Sequence, residues 1–173
     1  SDFNRVTPKL GLTYNYRHVG IYVNYSQGYV PPQVTELYNG VKVPYLRPQT
    51  FYNYEVGGWL SLLTNKLYAD WSLYLLDGAN QIINVKQPDG SFLNQNSGKT
   101  RHRGVEYGIT YRPGAEWSLR VSGSHADHVF VVQYENNKDY SGNQMAAAPH
   151  FIGKAELTWR PAFLKGFRLA IEA

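Results

Sequence analysis

The fold is decided by the stretch Thr50-Phe51-Tyr52-Asn53-Tyr54-Glu55-Val56-Gly57-Gly58-Trp59-Leu60-Ser61-Leu62. From Tyr52 onward its even-numbered positions are mainly apolar, whereas its odd-numbered positions are mixed and include the carboxylate of Glu55. Successive side chains of a β-strand point to opposite sides of the sheet. The alternation therefore predicts a long strand with one apolar face and one polar face.

The same two-faced pattern recurs along the rest of the chain. It returns in residues 67–75 and 104–111, whose polar positions include Asp70 and Glu106. Further alternating runs cover residues 7–16, 19–25, 117–122 and 151–160, and another begins at 167. The sequence thus predicts an all-β, antiparallel, up-and-down meander of about eight long strands.

Composition narrows the class of protein. The 173 residues correspond to about one domain, and 15 Tyr with 16 Gly favour β-structure. No apolar run reaches the ~18 residues of a membrane helix, yet strands that alternate polar and apolar residues can cross a bilayer at a mean hydropathy as low as −0.44. The net charge of +4 is scattered, which argues against nucleic-acid binding, and without Cys no thiolate site is possible.

Connections between the predicted strands alternate between short and long. Residues 63–66 and 112–116 are short turns, whereas 26–48 and 127–149 are long, and the strand from Leu67 continues into a hairpin that projects beyond its apolar zone. Short turns at one end and long loops at the other are typical of outer-membrane barrels. Aromatic residues expected at the two membrane interfaces are Tyr14, Tyr16, Trp59, Tyr107, Tyr111, Trp117 and Trp159.

Four segments resemble the barrel of TonB-dependent outer-membrane receptors. Residues 25–32 resemble the segment in which a strand of that family enters an extracellular loop. Residues 46–57 read L-R-P-Q-T followed by N-Y-E-V-G, with Gln49 where the family usually has Glu. Residues 96–106 and 140–150 match two further signatures, and the order and spacing of all four agree over most of the chain.

The resemblance implies a 22-stranded barrel that holds a plug and takes up a scarce nutrient, most often an iron chelate, with energy from the TonB complex. Residues 1–173 would be part of that barrel domain, without the plug and the terminal strands. We expect a transporter fragment of the bacterial outer membrane, not an enzyme, with a ferric siderophore as its cargo. The expected partners are outer-membrane lipid, the plug of the same full-length chain, the TonB complex through that plug, and a siderophore or similar chelate.

Candidate site residues follow from this interpretation. Loops carry specificity on a rigid barrel, and aromatic side chains with Arg suit an anionic chelate. The ligand-binding candidates are Tyr29, Gln33, Tyr38, Tyr45, Arg47, Gln81, Asn84, Tyr134 and Tyr140. The candidates for an interior that faces the plug are Glu55, Asp70, Glu106, Lys154, Glu156 and Arg160.

No catalytic, cofactor or metal constellation is predicted. His125 and His128 fit no strong metal motif and would lie on opposite faces of a continuing strand. Two alternatives stay open: a small self-contained outer-membrane barrel with a structural or adhesive role, and a soluble lipocalin-like β binder. In the soluble binder a dry core would collect Leu12, Val56, Leu73, Ile109 and Leu157.

Overall fold

One antiparallel sheet of eight strands dominates the chain. The computed structural model describes residues 5–37, 45–135 and 138–173. In chain order the elements are β1 (Lys9–Tyr16), β2 (Val19–Val30), α1 (Val34–Leu37), β3 (Gln49–Leu62), β4 (Leu67–Lys86), β5 (Phe92–Tyr111), β6 (Trp117–Val132), β7 (Tyr134–Glu135), β8 (Lys138–Asp139), β9 (Phe151–Trp159) and β10 (Leu169–Glu172). The sheet order is β1-β2-β3-β4-β5-β6-β9-β10, and β7 pairs only with β8. The predicted meander is confirmed, and β1 and β10 form its two edges.

The strand register separates an apolar face from a polar face. Val56 lies opposite Val23 on one side and Leu73 on the other, so the three side chains share a face. We call this the apolar face and the side that carries Glu55 the polar face. The five residues that would fill a soluble core are 38–69% exposed: Leu12, Val56, Leu73, Ile109 and Leu157. They do not converge, so the lipocalin-like alternative lacks its core.

Aromatic side chains lie along both ends of the apolar face. Near the short turns Trp117 stacks on Trp159, with ring centroids 5.6 Å apart. Toward the long loops Tyr25 packs against Tyr54 at 5.1 Å. This arrangement agrees with interfacial rings at both ends of the strands.

Two of the aromatic residues expected at an interface lie elsewhere. Trp59 is on the polar face, where it packs over Gly20 so closely that a Cβ there would lie 2.2 Å from the indole. Tyr107 is on the apolar face but four residues inside the end of β5, and its ring covers Gly123. Both rings fill space above a glycine of the neighbouring strand, which sequence alternation cannot reveal.

The β4–β5 hairpin projects beyond its neighbours, as predicted. Both strands have 20 residues, whereas the pairing of β3 with β4 ends at Thr50 and Ala79. Residues 81–86 therefore pair only with β5. Among the residues described, no helical segment combines the length and apolar character needed to cross a bilayer.

Candidate ligand-binding site

A bulge marks the place where the β4–β5 hairpin leaves the rest of the sheet. The register shifts between Gly78 and Gln81 and again between Gln81 and Ile82. Asn80, within this irregularity, has a φ of 55°, a left-handed conformation that Asn tolerates better than most residues. Such bulges redirect a strand and its side chains, and they are frequent beside functional sites.

Asn96 ties the long loop after β2 to this hairpin. Its Oδ1 accepts a hydrogen bond from the Arg47 backbone N–H at 2.6 Å. Its Nδ2 donates to the Arg47 carbonyl at 2.8 Å and to the Asn80 carbonyl at 2.7 Å. One amide side chain thus satisfies backbone groups on two segments, and we call this arrangement the Asn96 clamp.

A second amide pair supports the clamp from the hairpin side. Asn84 donates to the Asn94 side chain at 2.9 Å, and Asn94 donates to the carbonyl of Glu36 in α1 at 2.8 Å. Asn94 is buried, as is Leu46 beside Arg47. Buried polar groups with their partners in place fix a single conformation, so the loop is seated on the hairpin at two points.

A cavity of about 380 Å³ opens beside the clamp. It is lined by Tyr45, Arg47, Asn80, Leu93, Asn94, Gln95 and Asn96. The backbone N–H and carbonyl of Arg47 are both hydrogen-bonded to Asn96, whereas its side chain is exposed and has no ion-pair partner among the side chains that the structure describes. The cavity therefore combines an exposed arginine with a fixed backbone, an exposed aromatic ring and amide groups, which suits an anionic ligand.

Only part of the predicted ligand set reaches this cavity. Tyr45 and Arg47 line it, and Asn84 supports it through Asn94. Gln81 instead donates to Thr100 at 2.9 Å. Tyr29 lies in β2, and Gln33 starts α1 by accepting backbone hydrogen bonds from Glu36 and Leu37. Tyr38 lies outside the described residues.

The last two ligand candidates lie in the loop between β6 and β9. The Tyr140 N–H donates to Gln133, and Tyr134 is an exposed residue of β7. Hydrogen bonds from Ser141 hold the pKa of the Asp139 carboxyl below its usual range, and the hydrogen bond with Asp139 raises the pKa of Tyr134. These contacts join Tyr134, Asp139 and Ser141, none of which lines the cavity at Arg47.

The carboxylates predicted to face an interior lie on the polar face. Glu55 accepts a hydrogen bond of 2.5 Å from the Tyr22 hydroxyl. Glu106 lies opposite Ser72 and Ser124, whereas Asp70 lies opposite Trp59 and Gly108.

Two of the remaining candidates, Lys154 and Glu156, form ion pairs near the β10 edge of the sheet. The third, Arg160, lies in the turn after β9. Lys154 pairs with Glu172 at 3.1 Å, and Glu156 pairs with Arg168 at 3.1 Å. Arg160 comes just after β9, and its backbone N–H donates to Glu116 at the short-turn end. The candidates thus share a face, but Arg160 lies outside the strands.

A pair of imidazoles on the polar face was not anticipated. His102 and His128 lie opposite each other on β5 and β6, with their Nδ1 atoms 2.7 Å apart. His125 is on the apolar face, which confirms that it and His128 point in opposite directions. Within the described ranges no three His, Cys, Asp or Glu side chains are grouped so that they could hold a metal ion. Only the register between the two strands brings the imidazoles together, and no sequence motif signals it.

Known proteins share this architecture. A family model described as "TonB dependent receptor-like, beta-barrel" matches residues 1–170. The ferripyoverdine receptor of the outer membrane of Pseudomonas aeruginosa aligns at 16% identity with a TM-score of 0.70, covering 93% of this chain and 21% of that receptor. The FrpB iron transporter from Neisseria meningitidis (F3-3 variant) aligns at 18% identity and 0.66, covering 90% and 24%. The ferric-catecholate import receptor Fiu from E. coli K12 aligns at 18% and 0.68, covering 87% and 22%.

These structural matches show a shared fold, and the chain spans about a fifth to a quarter of the length of the matched proteins. The family model, by contrast, covers nearly the whole chain. The protein therefore belongs to the TonB-dependent receptor β-barrel family, whose members are barrels of the bacterial outer membrane.

Proposed function

We propose that these residues form part of a 22-stranded TonB-dependent transporter that takes up a ferric siderophore. Family membership supports uptake of a scarce nutrient across the outer membrane, and solved neighbours include receptors for iron chelates. The observation that carries the choice of cargo is the exposed Arg47 side chain in the cavity beside the Asn96 clamp, which has no ion-pair partner in the described part of the chain.

The position of the cavity supports this assignment. It lies on the part of the β4–β5 hairpin that extends past β3, at the end opposite the short turns. In outer-membrane barrels the short turns are periplasmic and the longer loops are extracellular. The cavity would therefore meet solutes outside the cell.

The chemistry of the cavity suits a ferric chelate with negative charge. Arg presents a planar fork of N–H donors that pairs with carboxylate or catecholate oxygens. Tyr45 is 90% exposed and offers a ring for stacking against an aromatic chelator. The clamp fixes the backbone of Arg47 before ligand arrives, which lowers the entropic cost of binding.

The polar face supplies the second half of the proposal. We assign Glu55, Asp70, Glu106, Lys154 and Glu156 to the barrel interior, where they would contact the plug of the full-length protein, with Arg160 at the periplasmic rim. The plug would in turn contact the TonB complex. A self-contained eight-stranded barrel is less well supported, because β1 and β10 are the two edges of an open sheet.

Binding measurements on the full-length protein test the cargo. Ferric complexes of a catecholate and of a hydroxamate chelator are titrated while tryptophan fluorescence is recorded. We expect Arg47→Gln to weaken binding about tenfold, because one charge-assisted contact is lost. Asn96→Ala should weaken it less, because the charge stays and only its anchor is removed.

Arg112→Gln is the matched control. Arg112 is an exposed arginine at the short-turn end, where its backbone N–H donates to Lys66. Its replacement should leave affinity unchanged. Absence of binding by either chelate, or equal affinities of the Arg47 and Arg112 variants, would contradict the proposal.

A further inference from the structure

A groove of about 540 Å³ crosses the apolar face between β4, β5 and β6. The side chains that matter for its chemistry are Leu73, Arg103, Val105, His125, Asp127 and His150. All three strands have neighbours on both sides within the sheet, so both walls of the groove belong to this chain. The cavity at Arg47 has a different lining, and the groove is on the face opposite the proposed plug contacts.

The groove changes character along the strand direction. Leu73 and Val105 lie opposite each other and form an apolar lower part. One step further toward the long loops, Arg103 lies opposite Asp127, with an N–O distance of 3.2 Å. His150 places its Nδ1 3.3 Å from the other oxygen of the same carboxylate. The groove is therefore amphipathic, with its charged groups at one end.

The length of β6 gives the height of this charged end above the Trp117–Trp159 ring pair at the short-turn end of the sheet. Trp117 and Asp127 are ten residues apart on β6, which corresponds to about 33 Å of strand. At the 35–45° tilt of barrel strands this is about 25 Å along the membrane normal, the height of the apolar band of an outer-membrane barrel. Arg103, Asp127 and His150 therefore lie where hydrocarbon gives way to headgroups.

Arg103 retains donors for a further partner. A guanidinium has five N–H groups, and the contacts to Asp127 involve Nε and one terminal nitrogen. The side chain is 65% exposed, and Asp127 holds it in place from one side. The remaining N–H groups match the oxygens of a phosphate.

We propose that this groove binds one phosphate-bearing lipid of the outer leaflet. Its acyl chain would lie along Leu73 and Val105, and its phosphate would accept hydrogen bonds from Arg103 at the upper rim. The apolar part of the groove is complementary to the acyl chain, and Arg103 at headgroup height is complementary to the phosphate. The site is a lipid contact on the outside of the barrel, independent of the cargo.

Native mass spectrometry of the full-length protein in detergent tests the site. The affinity for dioleoyl phosphatidic acid is compared with the affinity for dioleoylglycerol, which has the same acyl chains and no phosphate. We expect one phosphatidic acid to bind about tenfold more tightly than diacylglycerol, and Arg103→Gln to abolish that difference. Arg101→Gln is the matched control, since Arg101 is two residues above, pairs with Asp77 at 2.7 Å and does not line the groove.

A second variant keeps the test decisive if Arg103→Gln does not fold. His150 precedes β9 and joins β6 through its backbone carbonyl, which accepts a hydrogen bond from the Ala126 N–H at 2.9 Å, so His150→Gln keeps this pairing and should fold. The variant should bind phosphatidic acid about threefold more weakly, because Asp127 is less fixed. Three results would overturn the proposal: unchanged lipid affinity in both groove variants, an equal loss in the Arg101 control, or displacement of the lipid by millimolar inorganic phosphate.

Discussion

The two faces of the sheet use the same backbone ladder in opposite ways. On the apolar face, Val56 and Leu73 are exposed, and the residues opposite them on the neighbouring strands are also apolar. On the polar face one residue away, Tyr22 donates to Glu55, and Arg168 pairs with Glu156. The backbone hydrogen bonds hold the strands together, whereas the side chains determine what each face meets.

This difference separates two kinds of stability. The apolar side chains of the first face stay exposed within the sheet, so this face requires hydrocarbon to cover it. On the polar face, by contrast, the carboxylates of Glu55, Glu156 and Glu172 are hydrogen-bonded or ion-paired to other residues of the sheet. The same substitution should therefore change the free energy of unfolding by different amounts on the two faces.

The largest contrast is expected from a single added charge. Ile109→Arg places a cation near the middle of the apolar band, because Ile109 lies opposite Val121, four residues from Trp117 along β6. It should lower the free energy of unfolding by about 2–4 kcal/mol. Ser124→Arg adds the same side chain to the polar face, opposite Glu106, and should change it by about 1 kcal/mol or less. Urea unfolding of the full-length protein in lipid vesicles measures both, and equal losses would refute the assignment of the faces.

The second-largest effect on stability is expected where a side chain is added at a crowded position of the polar face. A Cβ at Gly57 would lie 2.6 Å from the Trp71 carbonyl oxygen and 2.5 Å from the Tyr22 ring. Gly57→Ala should therefore destabilise by about 1–3 kcal/mol, since backbone cannot yield cheaply. At Gly114, in a short turn, nothing lies within 4 Å, so Gly114→Ala serves as the control in the same unfolding assay. If both variants unfold at the same urea concentration, the close packing of Tyr22 over Gly57 is incorrect.

The smallest effect is expected from one hydroxyl. Tyr22→Phe removes the donor to Glu55 and should reduce the free energy of unfolding by about 1 kcal/mol. Tyr14→Phe removes a hydroxyl from the apolar face, where the ring is 63% exposed, and should be nearly neutral. Comparison of the two urea midpoints shows whether hydrogen bonds contribute only on the polar face. A larger loss for Tyr14→Phe would reverse the comparison.

The faces, the meander and the projecting hairpin could all be predicted from the sequence, because period-two alternation and turn residues are local signals. The Asn96 clamp could not be predicted, since it joins segments 49 residues apart and depends on a bulge at Asn80. The His102–His128 contact likewise depends on the register between β5 and β6. Trp59 shows the same limit, because its place over Gly20 is set by a neighbouring strand.

The bulge between Gly78 and Ile82 has a consequence for how such a protein can diversify. Below it, β4 is paired on both sides, and its sequence is constrained by two neighbours and by the bilayer. Above it, residues 82–86 pair only with β5, and the contact to the long loop is made by Asn94 of β5 with the Glu36 carbonyl. The bulge therefore marks a boundary: the tip can change in length and sequence while the strands below it keep their alternating pattern.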